Sequence, residues 1–229
     1  MLLHVSTETR KRHSDKPDCI VLAAGASRRM GRPKLHLPFG GASVLASTIE
    51  SALGAGLRVI IVGRPDDALV ETHARPGRVL LATNPDPERG MLSSLKAGLA
   101  LAARSARDRG TATAESQEAA AEAHEASTGG FFFIPGDMPL VRSSTYQLLL
   151  NMPSGGPLIA SFRGRRGHPV LMPASLREAV LALPDEGNLR ALIDASGPRL
   201  VETDDEGTVT DLDLPAEYES AAARLAQSL

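Results

Sequence analysis

Short, almost wholly apolar runs alternate along this chain with stretches of helical period, and that alternation constrains its fold more than any other feature. Residues 20–23, 59–62, 79–82 and 131–134 each read as a core strand. Their hydrophobicity is continuous rather than alternating, so both faces of each strand must be covered, as in a parallel sheet flanked by helices. Between the first two runs, residues 43–54 carry Val44, Leu45, Ile49, Ala52 and Leu53 at helical spacing, and Gly54-Ala55-Gly56 stops them. Residues 91–104 repeat the pattern with Leu92, Leu95, Leu99 and Ala102. The alternation predicts an α/β domain, a mostly parallel sheet with helices on both faces. In the second half, strands are expected at 158–162, 168–172, 199–202 and 208–212. Helices are expected at 174–183, at 188–195 and from Pro215 onward.

A chain of 229 residues suffices for one such domain with a sizeable core. Residues 1–17 are expected to be a flexible polar tail carrying Arg10-Lys11-Arg12-His13, and 18–229 the domain itself. Residues 106–130 hold no Leu, Ile, Val or aromatic residue and end in Gly129-Gly130, so they read as an exposed Ala/Glu-rich insertion extending the preceding helix. Cys19 is the only cysteine, which excludes an intrachain disulfide and a thiolate metal cluster; inside an apolar strand it is expected to be an inert buried thiol. A net charge of −2 and 3% aromatic residues, with no Trp, argue against a nucleic-acid partner. No apolar stretch approaches the roughly 20 residues that span a bilayer, and residues 1–3 are too short for a secretory core, so a cytoplasmic location is expected.

The first strand runs into Ala23-Ala24-Gly25, where small residues let the backbone turn and approach a ligand, and then into Arg28, Arg29, Arg32 and Lys34. A strand ending in a small-residue loop beside fixed cations has the physics of a phosphate cradle. It is neither a Walker A loop nor the dinucleotide Gly-x-Gly-x-x-Gly pattern. Asp137 follows the very apolar run Phe131-Phe132-Phe133-Ile134, at the strand edge where ligands bind in open α/β sheets; its residue type fits a metal ligand or a turn aspartate. Asp213, before Pro215, fits a second carboxylate ligand or the N-cap of the last helix. Asn84 and Ser93 fit a nucleotide contact or a loop with a helix cap. Arg165, Arg166 and His168 together could hold an anionic acceptor.

The segment Leu22-Ala23-Ala24-Gly25-x-Ser27-x-Arg29-Met30-Gly31-x-x-Lys34 resembles the signature of nucleotidyltransferases that activate sugars, alcohols and molybdopterin. It is most similar to the molybdenum cofactor cytidylyltransferase family. Four further stretches resemble family motifs in the same order: Asn84 to Leu95, Gly136-Asp137-Met138-Pro139, Gly167-His168-Pro169-Val170, and Asp211 to Tyr218. A weaker match, Asp185 to Arg190, has Asn188 where the family has Ala. The resemblance implies a single-domain, Rossmann-like fold of the nucleotide-diphospho-sugar transferase type. It implies Mg²⁺-dependent transfer of CMP from CTP to molybdopterin, with release of pyrophosphate. Leu22, Ala23, Ala24, Gly25, Asn84 and Ser93 would bind the nucleotide, Arg29 and Lys34 would neutralise its phosphates, and Arg28 and Arg32 would face solvent. Asp137 and Asp213 would hold the metal, and His168 and Arg190 the acceptor. Leu214 and Glu217 replace a family threonine and aspartate, which is expected to remove hydrogen bonds around Asp213. Ala23-Ala24 favours CTP, since guanylyl relatives usually carry Ala-Gly-Gly. The alternatives are a guanylyltransferase or a sugar- or alditol-phosphate nucleotidyltransferase. From another class comes a non-catalytic cofactor-binding maturation factor for a client molybdoenzyme.

Overall fold

The computed structural model describes residues 16–65, 67–110, 130–153, 155–184 and 186–226. A seven-stranded sheet has the order β5-β4-β1-β6-β8-β7-β9. Its strands are β1 Asp18–Leu22, β4 Arg58–Gly63, β5 Val79–Thr83, β6 Phe131–Pro135, β7 Leu158–Phe162, β8 Arg165–Met172 and β9 Arg199–Glu202, while β2 Pro38–Phe39 and β3 Ala42–Ser43 form a separate hairpin. Strands β5, β4, β1 and β6 pair in parallel, with Cys19 opposite Val59 on one side and Phe132 on the other. Only β8 runs against its neighbours β6 and β7, and β9 returns parallel to β7.

Successive side chains of a strand point to opposite faces, so the apolar runs feed two cores. On one face Cys19, Val21, Val59, Ile61, Phe132 and Ile134 pack under helix α1 (Val44–Gly54) and helix α4 (Ser143–Leu150). The Tyr146 ring of α4 stands edge-on to Phe132 at 5.4 Å. On the other face Ile20, Ile60, Val62, Phe131 and Phe133 pack under α3 (Met91–Gly110), with α5 (Arg177–Ala182) and α6 (Leu189–Ala195) alongside. Gly98 lets α3 lie close to the sheet, because a Cβ there would stand 2.6 Å from Ile20 Cγ2. The short α2 (Ala68–Glu71) follows β4, and α7 (Pro215–Ala226) ends the described chain. From β1 the chain order departs one way to β4 and β5 and the other way to β6. The carboxyl ends of β1 and β6 lie side by side, with Gly136 N donating to Leu22 O at 2.9 Å, so the loops that follow them meet at the edge of the sheet where ligands bind.

Three features depart from the sequence expectation. The strand expected at 208–212 is instead a 3₁₀ turn, Glu206–Val209. The Asp205 carboxylate accepts from Gly207 N at 3.0 Å, Arg142 N at 2.8 Å and the Thr145 hydroxyl at 2.5 Å. Those bonds turn the backbone and outweigh the strand propensity of Thr208-Val209-Thr210. Strand β8 begins at Arg165, ahead of the expected 168, and the helix expected over 174–183 starts as a 3₁₀ turn, Ala174–Leu176. The insertion expected at 106–130 begins as a continuation of α3 through Gly110; its residues 111–129, like residues 1–15 of the tail, lie outside the described residues. Cys19 is buried, as expected, and burial pushes its thiol pKa far up. Among the described residues no helix is long and apolar enough to cross a membrane.

Candidate active site

The loop after β1 is pinned at both ends and open in the middle. Ala23 N donates to Val62 O at 2.8 Å, and Ala23 and Ala24 are buried. Gly25 and Ala26 are exposed, and a Cβ on Gly25 would meet nothing within 4 Å, so the missing side chain leaves free space in the crevice. Ser27 adopts a left-handed conformation, φ 50°, and its hydroxyl accepts from Lys34 N at 3.3 Å, closing the cationic segment into a ring. Met30 and Leu35 anchor that ring in the core.

Lys34 is where the separate motifs meet. Its ammonium donates to Asp137 Oδ2 and, at 2.6 Å, to Asp213 Oδ1. Arg29, largely exposed, donates to the other oxygen of Asp213 at 2.6 Å. Burial alone would lower the Lys34 pKa, but the charge of Asp137 and its hydrogen bonds to both carboxylates outweigh burial and raise it. The hydrogen bond from Lys34 holds the Asp213 pKa below its usual value against the effect of burial, with help from the Lys34 and Arg29 charges. Asp137 is 7% exposed and its Oδ1 is buried with no hydrogen-bond partner. A buried orphan carboxylate oxygen beside a second carboxylate suits a hard divalent cation. Among the described residues no group of three His, Cys, Asp or Glu could hold a metal, so phosphate oxygens and waters would have to complete the shell.

Asp213 is not the N-cap of the last helix, since its carboxylate turns to Lys34 and Arg29. Glu217 performs that task instead: its Oε2 accepts from Asp213 N at 2.8 Å and Leu214 N at 2.7 Å. The expected loss of hydrogen bonding around Asp213 is therefore corrected at Glu217. Leu212 N donates to Asp137 O at 3.1 Å, so the two carboxylate segments are tied directly. The Arg32 guanidinium lies 5.6 Å over the Tyr218 ring and Tyr218 OH donates to Pro38 O at 2.6 Å, so Arg32 is more than a solvent-facing charge. The Arg28 side chain is outside what the structure describes.

Two adjoining clefts flank this centre. One of about 340 Å³ is lined by Gly25, Ala26, Ser27, Arg29, Lys34, Arg64 and Asp213, among others. The second, about 230 Å³, is lined by Leu22, Ala24, Gly25, Lys34, Met91, Ser94 and Asp137, among others. Asn84 and Ser93 border neither cleft. Asn84 is buried; its amide donates to the Ser93 and Ser94 hydroxyls at 2.8 and 2.9 Å, and its carbonyl accepts from Asp86 N at 3.0 Å. Asn84 thus shapes the loop that presents α3, and Ser94 rather than Ser93 faces the cleft.

On the far side of Met91 lies a cavity of about 210 Å³ lined by Phe133, Ile159, Arg166, His168, Arg190 and Ile193, among others. Met91, 48% exposed, borders both this cavity and the second cleft. The His168 ring stands edge-on to Phe133 at 5.5 Å, its Nδ1 is buried without a partner, and burial pushes its pKa down to about 4. His168 is therefore neutral near pH 7 and brings no positive charge to the site. That charge comes from Arg166 and Arg190, which share Asp194 at 2.5 and 3.9 Å. Asp185 lies outside the described residues.

Sequence reasoning missed Arg64, whose Nε donates to Ala24 O at 2.9 Å and whose Nη2 pairs with Glu88 at 2.9 Å. Its signal was available: Arg64 directly follows β4, at the same strand edge as the loop after β1.

The profile of the MobA-like NTP transferase domain matches residues 19–201. The chain is 26% identical over 208 residues to the molybdenum cofactor cytidylyltransferase of Escherichia coli strain K12, covering 90% of this chain and 96% of that protein. It is 29% identical over 189 residues to the molybdenum cofactor guanylyltransferase of Rhizobium meliloti strain 1021, covering 79% and 76%. Among solved structures, Rv0371c from Mycobacterium tuberculosis H37Rv superposes with a TM-score of 0.70 at 21% identity, covering 92% of this chain and 98% of that one. A manganese complex of Rv0371c gives a TM-score of 0.61 at 19% identity, covering 90% and 97%.

Proposed function

This chain belongs to the MobA-like NTP transferase family and is a nucleotidyltransferase, and from that premise we propose that it transfers CMP from CTP to the terminal phosphate of molybdopterin, releasing pyrophosphate. The observation that carries this reading is the convergence of Lys34, Asp137 and Asp213 at one point beside the open Gly25–Ala26 stretch. The exposed loop amides receive the triphosphate, and Lys34, Arg29 and Arg64 offset its charge. Asp137 and Asp213 would hold Mg²⁺, which would supply further charge neutralisation at the phosphates. Arg166 and Arg190 hold the anionic acceptor at the rim of the cavity, and neutral His168 forms part of its wall. An acceptor phosphate oxygen passing Met91 then attacks the α-phosphorus, and the bond to the pyrophosphate oxygen breaks. Leu22, Ala24 and Gly25 bind the nucleotide directly; Ala23, buried with its N–H bonded to Val62 O, sets the course of the loop, and Asn84 and Ser93 act through the shape of the loop that ends at Ser94.

The preference for CTP is supported by Ala23-Ala24 and by the cytidylyltransferase relative. A cytoplasmic site of action, with delivery of the product to a client molybdoenzyme, completes the proposal. The test is pyrophosphate release with molybdopterin and each of CTP, GTP, ATP and UTP in the presence of Mg²⁺, alongside the thermal shift each nucleotide produces. Turnover with CTP is expected. Turnover with GTP alone would reassign the base, and binding without pyrophosphate release would favour a maturation factor over an enzyme.

A further inference from the structure

We propose that Lys34 is a built-in counter-ion for Asp137 and Asp213, occupying the place of a divalent cation and disfavouring entry of the bare ion until a triphosphate draws the ammonium away. The proposal rests on the reading of Asp137 and Asp213 as metal ligands.

One ammonium bonds to both carboxylates, and Arg29 takes the remaining oxygen of Asp213. The four groups sum to zero charge, so the pair holds no surplus negative charge to attract a cation. The Lys34 side chain is only 13% exposed. A bare metal ion entering between the carboxylates would strand that ammonium in a partly dry cleft without an anionic partner, which is costly. A triphosphate changes the balance, because its oxygens offer the ammonium a new partner. The backbone of Lys34 is fixed by its hydrogen bond to Ser27 and by buried Leu35, so the required motion is confined to the flexible four-carbon stem. Lys34 also lines the cleft bordered by Gly25, Ala26 and Ser27, where the phosphates would lie, so the swing stays within one cleft. Asp137 Oδ1, buried without a partner, is a ligand atom that the ammonium leaves unused. Triphosphate and metal would then bind with positive coupling, each removing an obstacle to the other.

The test uses Mn²⁺ alone, titrated into the full chain without nucleotide and followed by electron paramagnetic resonance. Lys34→Met is expected to bind Mn²⁺ at least about tenfold more tightly than the unmodified protein, within the usual range of coupling between sites. Lys34→Gln should reproduce the gain, and serves where the methionine variant folds poorly. Adding Asp137→Asn to Lys34→Met should abolish it. Arg64→Met removes a cation from the same cleft that pairs with Glu88 and bonds to neither Asp137 nor Asp213, and should change Mn²⁺ affinity less than about threefold because both ligand carboxylates keep Lys34. Equal Mn²⁺ affinity with and without the lysine, or an equal gain in Arg64→Met, overturns the counter-ion role while leaving the carboxylates as metal ligands. A gain that survives Asp137→Asn puts the ion elsewhere and overturns the metal-ligand reading itself.

Discussion

Replacing Asp137 by asparagine removes one charge and keeps the shape of the side chain, and it separates a chemical role from a structural one. The Asp137 side chain is 10% exposed, so its contact with Lys34 is poorly screened by water. Breaking a buried ion pair costs about 3–5 kcal/mol when it leaves the partner's charge uncompensated. Here Lys34 keeps Asp213 at 2.6 Å, and the partnerless Oδ1 belongs to a neutral group in the variant. The net loss should therefore be about 1 kcal/mol, a fall in Tm of about 2–4 °C for a chain of this size. Chemistry should suffer far more, because removing one pre-organised electrostatic contact to a transition state costs about 2.7–4 kcal/mol, or 10²–10³ in kcat. Pyrophosphate release under saturating CTP and metal, with a thermal scan of the same preparations, measures both quantities. Turnover within about threefold of the unmodified protein would refute the metal assignment. A Tm fall beyond about 10 °C would show instead that Asp137 chiefly holds the fold together.

Gly98→Ala sets about 1 kcal/mol of helix propensity against a Cβ 2.6 Å from Ile20 Cγ2 and 3.0 Å from Val62 Cγ2, both in the buried layer. Overpacking costs about 1–3 kcal/mol, so a net loss of roughly 1 kcal/mol is expected in a denaturant titration, and a gain would refute the close packing of α3. Asn84→Ala removes three hydrogen bonds at the start of α3 and should cost about 1–3 kcal/mol. Steady-state kinetics should show a raised KM for the triphosphate with kcat less affected, and an unchanged KM would remove Asn84 from the nucleotide side. His168 titrates at about 4 when folded against 6.5 ordinarily, so between those values the unfolded chain binds the extra proton. Stability should therefore fall as pH drops from about 6.5 to about 4, by about 1–3 kcal/mol after allowing for partial solvent access, with no further loss from this group below that window. His168→Gln should flatten that limb of the stability curve, and an unaltered limb would show that His168 is not its source.

The parallel strands on the β1 side of the sheet were legible in the sequence, because a strand covered on both faces must be apolar throughout; the runs within β1, β4 and β6 carry that signature, and the run within the edge strand β5 shares it although it is only partly buried. The loop after β1 was legible too, since the small residues Ala23, Ala24 and Gly25 directly follow the first apolar run and leave the crevice open at Gly25. Helix α4 and the hairpin β2–β3 were not read, being short elements stabilised by contacts with distant residues. The turn at Glu206–Val209 was misread because the Asp205 carboxylate that bends it reaches across to Arg142 and Thr145. Local spacing could mark Asp137, Asp213 and Lys34 as candidates, but the two carboxylates lie 103 and 179 residues from Lys34 along the chain. Only the side-by-side placement of β1 and β6, with the segment before α7 tied to Asp137 O through Leu212 N, brings the three side chains to one point. Sequence pattern, which reflects the needs of each segment, determined the layers and the ligand loop. Tertiary structure decided which charges face each other, because pairing at a site depends on distances that no single segment encodes.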